Sequence, residues 1–303
     1  MRHEEGRFPD AHDTSIYHQR WLPDSQPHAV LVIVHGLAEH CGRYTNVVDY
    51  FVPRGYAVCG ADHVGHGRSG GRRVYVRRFE DLTDVLGTYT SIIRGWYPGK
   101  PLFLLGHSLG ALIGSVYLLE HPRAFAGAIL SGPLVSVPES VSQVTLRASR
   151  ILSALAPGLG VAAVDASGVS RDPAVVAAYI GDPLVYLGKT TARLGHEILK
   201  AIARVTANAA QITLPILILQ GSDDRLVPPE GAAMLRRAVG SADKILSVYD
   251  GLYHEIYNEP ERDAVLADIE VWLRQRIAPG NQPPASTGSG GSSSRPAATP
   301  RLC

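Results

Sequence analysis

The sequence predicts an α/β fold, in which helices flank a mostly parallel central sheet and a helical cap is inserted over the ends of the strands. Two observations support this fold class. Short apolar runs alternate with longer segments of helical period along most of the 303 residues. The alternation is interrupted once, at residues 135–207, where helical patterns occur without a clear strand.

Six apolar runs have the length and aliphatic composition of buried parallel strands. They are residues 29–34, 56–60, 102–106, 127–131, 215–220 and 244–249. We expect residues 14–21 (TSIYHQRW) to add an antiparallel strand at the edge of the sheet.

Helical periods separate these strands. The apolar side chains of residues 44–51 step by three and four, and Gly55 follows as a stop signal. A longer apolar stripe runs from Phe79 to Trp96. Pro260 opens a last helix with acidic residues in its first turn and arginines near its end, as the helix dipole favours.

The same patterns divide the chain into segments. Residues 1–134 and 208–278 are the two parts of the predicted core, and residues 135–207 are the predicted cap. Residues 279–303 are rich in Gly, Ser and Pro, so we expect a disordered tail that buries too little apolar surface to fold. The apolar stripe of the cap, Val141 to Leu155, could either pack on the core or dock on a lipid surface, because both need one apolar face.

Composition excludes several classes of partner and location. Lys and Arg number 29 against 28 Asp and Glu, so no global field favours nucleic acid or an anionic membrane. The first residues form no apolar signal segment, and no apolar run approaches the about 20 residues that cross a bilayer. The cysteines, Cys41, Cys59 and Cys303, are too few for a disulfide framework. We expect a soluble, cytoplasmic protein.

The stretch PLFLLGHSLG, residues 101–110, places Ser108 between a strand and a helix. In a nucleophile elbow such a turn raises the serine hydroxyl above the carboxyl edge of the sheet, and Gly106 and Gly110 leave room for it. The five-residue pattern alone is weak, because glycines also mark an ordinary turn between a strand and a helix. A serine nucleophile needs a base, and the base needs a carboxylate.

Both partners occur later in the chain, each after a predicted strand. Asp223 and Asp224 follow the strand at 215–220, and His254 lies in the loop after the strand at 244–249. This is the order Ser, Asp, His that a nucleophile elbow requires. A turn-forming Asp pair and a surface histidine are each common, but their joint occurrence in this order favours a catalytic triad. The oxyanion hole is then formed by two backbone N–H groups, that of Leu109 and that of Leu37 in the loop after the strand at 29–34.

No cofactor and no metal site are expected. His63 and His66 lack a third ligand at suitable spacing, and the segment GHGRSGG (65–71) has no lysine to hold a phosphate.

The chain resembles the monoacylglycerol lipases of the α/β-hydrolase superfamily, their bacterial members most of all. The resemblance rests on HGLAEHCGRY (35–44), DHVGHGRSGG (62–71), LLGHSLG (104–110), QGSDDRLV (220–227) and GLYHEIYNEPE (251–261). It implies an α/β-hydrolase fold with the cap over the active site. It also implies Ser108 as nucleophile, His254 as general base, and Asp224 rather than Asp223 as the acid.

The resemblance further implies that Glu39, Arg43, His107 and Tyr179 bind the glycerol part of the substrate. Tyr257 stands where mammalian members have a second polar histidine, which a phenol could replace. The alternatives are an ordinary ion pair between Glu39 and Arg43, four residues apart, and a Tyr179 that only packs in the cap. Cys41 stands where the family has a small residue, and we expect a small buried side chain there.

The resemblance implies a serine hydrolase that cleaves monoacylglycerols to fatty acid and glycerol through an acyl-enzyme. Its partner is then a small lipid ester, with transient contact between the cap and a membrane or micelle surface. The first alternative is a carboxylesterase for short-chain or aromatic monoesters. The second is a binding protein of the same fold without activity, which the intact Ser, Asp and His disfavour.

Overall fold

The computed structural model describes residues 1–136, 143–277 and 301–302, with the backbone alone for residues 143–147 and 301–302. The strands in these ranges are β1 (Arg2–Pro9), β2 (Ser15–Leu22), β3 (Ala29–Val34), β4 (Tyr56–Ala61), β5 (Leu102–His107), β6 (Gly127–Ser131), β7 (Gly160–Ala162), β8 (Thr190–Thr191), β9 (Ile216–Gly221), β10 (Lys244–Tyr249) and β11 (Arg301–Leu302). The main sheet has the order β1-β2-β4-β3-β5-β6-β9-β10-β11, and β7 pairs with β8 separately. Pairing is parallel from β4 to β10 and antiparallel at both ends.

The six strands predicted inside the sheet are confirmed, each within one residue of the predicted bounds. The predicted antiparallel strand is β2, but the edge position belongs to β1, which pairs along its whole length with β2. The expectation for the edge was therefore wrong. Strand β1 is polar and mostly exposed, with Phe8 as its one buried side chain, and so it lacks the apolar signature of a buried strand. Within the predicted cap, β7 and β8 are also strands that the sequence did not indicate.

The helices of the described residues are α1 (Thr45–Phe51), α2 (Glu80–Trp96), α3 (Leu109–Glu120), α4 (Gln143–Leu155), α5 (Pro173–Gly181), α6 (Ala192–Asn208), α7 (Glu230–Ala238) and α8 (Arg262–Arg274). The predicted stop after α1 is Gly55, whose φ of 86° is a left-handed conformation. Helix α5 begins at Pro173, and the side chain of Asp172 caps it by accepting from the Ala174 N–H.

The sheet is buried on both faces, which explains its continuous apolar strands. Along β3, Val30 and Val32 point into the core beneath α2, α3 and α6, whereas Leu31 and Ile33 point into the core beneath α1 and α8. The carboxyl ends of β3, β5, β6, β9 and β10 therefore meet at one edge of a three-layer structure, and the loops that follow them build the site.

The described part of the predicted cap, called the cap below, lies at this edge and forms hydrogen bonds with the predicted core. The backbone N–H of Tyr186 donates to the Ala38 carbonyl over 2.8 Å. His40 Nδ1 accepts from the Gly42 N–H, so its Nε2 carries the proton and donates to Asp182 Oδ2 over 2.8 Å. Both links reach the loop after β3, so cap and core meet beside the site.

The predicted boundaries at 134, 207 and 278 stay predictions. Helix α6, the last part of the predicted cap, buries Leu194, Ile198 and Ile202 in the main core. Val141 and the predicted tail lie outside the described residues, apart from Arg301–Leu302, which pair with β10. Within residues 1–136 and 143–277, no helix is long and apolar enough to cross a membrane.

Candidate active site

Ser108 lies in a strained turn between β5 and α3. Its φ is 55° and its ψ is −117°, a conformation that side chains other than glycine rarely adopt. The neighbouring elements leave no room for other side chains at the flanking positions. A Cβ at Gly106 would lie 2.8 Å from the Gly110 carbonyl oxygen, and one at Gly110 would overlap the carbonyl oxygens of Val34 and His35. The glycines therefore permit the nucleophile-elbow geometry that the sequence predicts.

This crowding gives a stability prediction. Gly110→Ala forces β3 and α3 apart, because the clash is with backbone atoms, and we expect a loss of at least about 3 kcal/mol in the free energy of unfolding. Gly95→Ala, near the end of α2, is the matched control, because a Cβ there meets no atom within 4 Å. The higher helix propensity of alanine is expected to raise the free energy of unfolding of Gly95→Ala by about 0.5–1 kcal/mol. Denaturant unfolding of both variants tests this, and equal stabilities would contradict it.

Asp224 and His254 form a buried hydrogen-bonded pair. His254 Nδ1 lies 2.7 Å from Asp224 Oδ2, which also accepts from Gln220 Nε2 over 2.9 Å. The other oxygen, Oδ1, accepts from the backbone N–H groups of Leu226 and Val227. Burial alone would raise the pKa of Asp224, but these hydrogen bonds, that from His254 foremost, outweigh it and lower the pKa. The carboxylate is thus held ionised.

The geometry distinguishes the two aspartates that the sequence offers. The Asp224 side chain is fully buried against His254, whereas Asp223 is exposed and accepts a hydrogen bond from Ser222. Because Nδ1 of His254 meets the carboxylate, Nε2 is the ring nitrogen available to Ser108. Gly132 makes room for this ring, since a Cβ there would lie 3.0 Å from Nδ1.

Ser108 and His254 line one cavity of about 280 Å³ between the core and the cap. The core contributes Leu37, Glu39 and His107, and the cap contributes Tyr179 together with apolar side chains. These apolar side chains are Ala163, Val164 and Val169, and Leu134 and Val227 of the core add to them. The lining therefore includes a polar group, Glu39, His107, Tyr179 and Glu255, called the polar wall below, and the apolar group just named, called the apolar wall; the charged residues Asp165 and Arg225 also line the cavity.

The polar wall is held by one buried arginine. Arg43 Nη1 donates to Glu39 Oε2 over 2.7 Å and to Glu255 Oε1 over 2.6 Å, and Nη2 donates to Glu255 Oε2 over 2.8 Å. The Arg43 guanidinium lies 4.5 Å from the centre of the Tyr179 ring. Tyr44 Oη adds a hydrogen bond to Glu39 Oε1. Burial raises the pKa of Glu39, whereas the Arg43 guanidinium outweighs burial at Glu255 and lowers the pKa of that carboxyl.

The five residues implied to bind glycerol lie together, but they do not line the same space. Glu39, His107 and Tyr179 line the main cavity. Arg43 and Tyr257 line a void of about 10 Å³ behind it, which Glu39 and His107 also border. Burial, and to a lesser extent the neighbouring His254, lowers the pKa of His107 to about 3, so its imidazole is neutral. His107 Nδ1 and Tyr257 Oη are both buried without a hydrogen-bond partner among the described residues.

Several buried histidines and one cysteine outside the cavity have surroundings that indicate a role in holding the fold. His35 Nε2 accepts from the His63 N–H, and its Nδ1 lies 2.8 Å from the Gly36 carbonyl oxygen. Burial lowers the pKa of His63 to about 3 and that of His66 to about 4. Among the described residues, no group of three or more His, Cys, Asp or Glu side chains could hold a metal ion. Cys41 is buried and accepts a hydrogen bond from Gln19 to its sulfur.

Two residues of the site were missed in the sequence. Gln220, the next-to-last residue of β9, donates to Asp224, and Glu255, which directly follows His254, accepts from Arg43. A signal was present for Glu255, namely an acidic residue beside the expected general base. Its partner Arg43 lies 212 positions away, so no local pattern joins the two.

The chain is similar to known proteins over most of its length. Residues 25–261 match the family described as Hydrolase_4, serine aminopeptidase, S33. The monoacylglycerol lipase of Mycolicibacterium smegmatis is 40% identical over 89% of this chain and 96% of its own length. The human monoglyceride lipase is 37% identical over 87% of this chain and 88% of its own.

Among solved structures, the monoacylglycerol lipase of Paleococcus ferrophilus superposes with a TM-score of 0.76 at 28% identity, covering 91% of this chain and 100% of that one. The fold class and the family resemblance expected from the sequence are thus confirmed. The chain belongs to the monoacylglycerol lipase family of α/β-hydrolases and is a carboxylic ester hydrolase.

Proposed function

We propose that this enzyme hydrolyses monoacylglycerols to a free fatty acid and glycerol, with Ser108, His254 and Asp224 as its catalytic triad. The observation that carries the proposal is the cavity itself. It brings the serine and the histidine together with apolar side chains, suited to an acyl chain, and with polar side chains, suited to an alcohol with free hydroxyl groups. The names of the relatives support the same substrate.

In the first half of the proposed reaction, Ser108 Oγ attacks the ester carbonyl carbon while His254 Nε2 takes its proton. The negative oxygen of the tetrahedral intermediate accepts hydrogen bonds from the backbone N–H groups of Leu37 and Leu109. Leu37 lines the cavity, and Leu109 is the first residue of α3, where N–H groups have no partner within the helix. The imidazolium then protonates the leaving alcohol, and an acyl-enzyme is left on Ser108.

In the second half, water enters beside His254, which takes a proton from it as the water attacks the acyl carbon. The intermediate collapses, the acid leaves, and His254 returns the proton to Ser108. Asp224 fixes the Nδ1–H tautomer of His254 and stabilises its charged form in both halves. No step requires a cofactor.

The leaving alcohol is proposed to lie against the polar wall. Glu39 offers a carboxyl oxygen and His107 has a ring nitrogen without a partner among the described residues, whereas Tyr257, whose Oη also has none, borders the void behind this wall. Arg43 holds this wall from behind, and Tyr179 covers it from the cap. A site that hydrogen-bonds free hydroxyl groups discriminates against esters that lack them, because its buried polar groups are then left unpaired.

The test is a panel of substrates under identical conditions. It compares monoacylglycerols, diacylglycerols and p-nitrophenyl esters of rising chain length by kcat/KM. We expect monoacylglycerols to be preferred over diacylglycerols, in which a second acyl group replaces a free hydroxyl. Equal rates across alcohol groups would favour the alternative of a general carboxylesterase. No hydrolysis of any ester would favour a binding protein without activity.

We also propose that the exposed apolar side chains of the cap contact the lipid surface that supplies the substrate. Ile151 and Leu155 of α4 are 61% and 81% exposed, and Leu159 follows them at 51%. Sedimentation with lipid vesicles tests this, because Leu155→Asp is expected to lower the bound fraction, and an unchanged fraction would contradict it. A cytoplasmic location is proposed as well, which the buried free thiols of Cys41 and Cys59 support.

A further inference from the structure

Glu255 has the geometry of a residue that holds others in place. Its side chain is 7% exposed, and its two oxygens receive Nη1 and Nη2 of Arg43 over 2.6 and 2.8 Å. Asn258 Nδ2 donates to the second oxygen over 2.9 Å. A bidentate pair of this kind fixes both the position and the plane of the guanidinium.

Through Arg43, Glu255 is connected to two other residues of the polar wall. The same Nη1 that meets Glu255 also meets Glu39, and the Tyr179 ring lies against the guanidinium. Glu39, Glu255 and Tyr179 line the cavity, whereas Arg43 does not. Three cavity side chains from three separate segments of the chain therefore share one partner behind the wall.

The charges give this arrangement a chemical preference. Carboxylate oxygens only accept hydrogen bonds, so the wall matches an alcohol that donates them. Glu39 Oε1 already accepts from the Gly36 N–H over 2.6 Å and from Tyr44 Oη, so Oε2 is the oxygen left for an alcohol. If Glu255 loses its charge, the buried Arg43 keeps one carboxyl partner instead of two and is drawn further onto Glu39 Oε2. The acceptor offered to the alcohol is lost, while Ser108 and the Asp224–His254 pair keep their own hydrogen bonds.

We propose that Glu255 is a positioning residue that sets the preference of the enzyme for the alcohol half of its ester, by fixing Arg43 behind Glu39 and Tyr179. The inference rests on the proposed function, since it concerns the same cavity. The competing explanation is that Glu255 only fastens the loop of residues 251–261 to the core. That role would affect all substrates and the melting temperature alike.

The test measures kcat and KM of the wild type and Glu255→Gln on two esters of one fatty acid, the glycerol monoester and the methyl ester. Glutamine keeps the volume but gives Arg43 an amide N–H₂ in place of one oxygen. We expect KM for the glycerol ester to rise about 10-fold or more, as for a lost hydrogen bond to a charged group, with the methyl ester changing less than about threefold. Glu255→Asp keeps the charge and is expected to restore part of the preference.

Glu261→Gln is the matched control, because Glu261 lies in the same loop and pairs with Arg171 outside the cavity. It is expected to leave the ratio of the two substrates unchanged. A parallel loss on both esters in Glu255→Gln, or no loss on either, would overturn the inference. If Glu255→Gln does not fold, Glu255→Asp is measured instead. A ratio of glycerol-ester to methyl-ester activity equal to that of the wild type would then overturn the inference. A lower ratio, at the melting temperature of the wild type, would support it.

The ratio of glycerol-ester to methyl-ester activity in the wild type distinguishes a failure of this inference from a failure of the proposed function. A wild type that does not prefer the glycerol ester contradicts the proposed function, whatever Glu255 does. In that case a third ester, of ethylene glycol, is compared with the methyl ester. If the wild type prefers the ethylene glycol ester and Glu255→Gln removes that preference, the inference is supported. If Glu255→Gln leaves the wild-type ratio unchanged, the inference is overturned.

Discussion

Replacing Ser108 with alanine is expected to lower kcat/KM for ester hydrolysis by about 10⁵-fold or more, because the acyl-enzyme can no longer form. A fluorophosphonate probe, which reacts with activated serines, should label the wild type and leave Ser108→Ala unlabelled. The fold should survive the change, since alanine is smaller and Ser108 uses its backbone, not its hydroxyl, to bond Ser131 and Ala111.

Ser115→Ala is the control for this experiment. Ser115 lies on α3, the helix that begins directly after Ser108, and its buried hydroxyl donates to the Ala111 carbonyl over 2.7 Å, outside the cavity. We expect this variant to be labelled and active like the wild type. Labelling of Ser108→Ala at the wild-type level would show that another residue is the nucleophile.

Replacing Asp224 with asparagine is expected to lower kcat by about 10⁴-fold. The asparagine oxygen would stay with the Leu226 and Val227 N–H groups, which turns its amide N–H₂ toward His254 Nδ1 and Gln220 Nε2. His254 must then carry its proton on Nε2, the nitrogen that has to accept the proton of Ser108. The imidazole would be present but in the wrong tautomer.

Asp223→Asn makes the same chemical change one residue earlier, at an exposed side chain that accepts a hydrogen bond from Ser222. Its kcat should stay within about twofold of the wild type, as is usual for exposed positions away from the reacting atoms. Steady-state kinetics with melting temperatures for both variants decides between the aspartates. A larger loss in Asp223→Asn than in Asp224→Asn would contradict the proposed triad.

The parts of the fold predicted from the sequence are those in which one local signal suffices. The central strands are buried on both faces and read as unbroken apolar runs, of which β3 is an example. Strand β1 has no such run, because its pairing with β2 leaves most of its side chains in solvent. The two short strands β7 and β8 depend on contacts distant in sequence, namely their pairing with each other and the hydrogen bond from Thr191 Oγ1 to the Val74 carbonyl, and not on their own sequence.

The candidate site likewise has residues that the sequence indicates and residues that it does not. Ser108, Asp224 and His254 could be proposed from the sequence because each follows a strong strand signal, and parallel strands bring their carboxyl ends together. The arrangement around Arg43 could not be, because Glu255 reaches it from the far end of the chain. The sequence pattern suggested only a pair of Glu39 with Arg43, whereas the guanidinium is shared by two carboxyl groups.

The most direct test of the central claim is the ratio of kcat/KM for a glycerol monoester to that for the methyl ester of the same fatty acid. The two substrates share the acyl chain and the type of scissile bond, so their ratio, divided by the ratio of their rates of alkaline hydrolysis, measures what contacts with the alcohol half contribute to the transition state. The proposed function predicts a ratio of at least about tenfold in favour of the glycerol ester. A ratio near one, or a preference for the methyl ester, would contradict it.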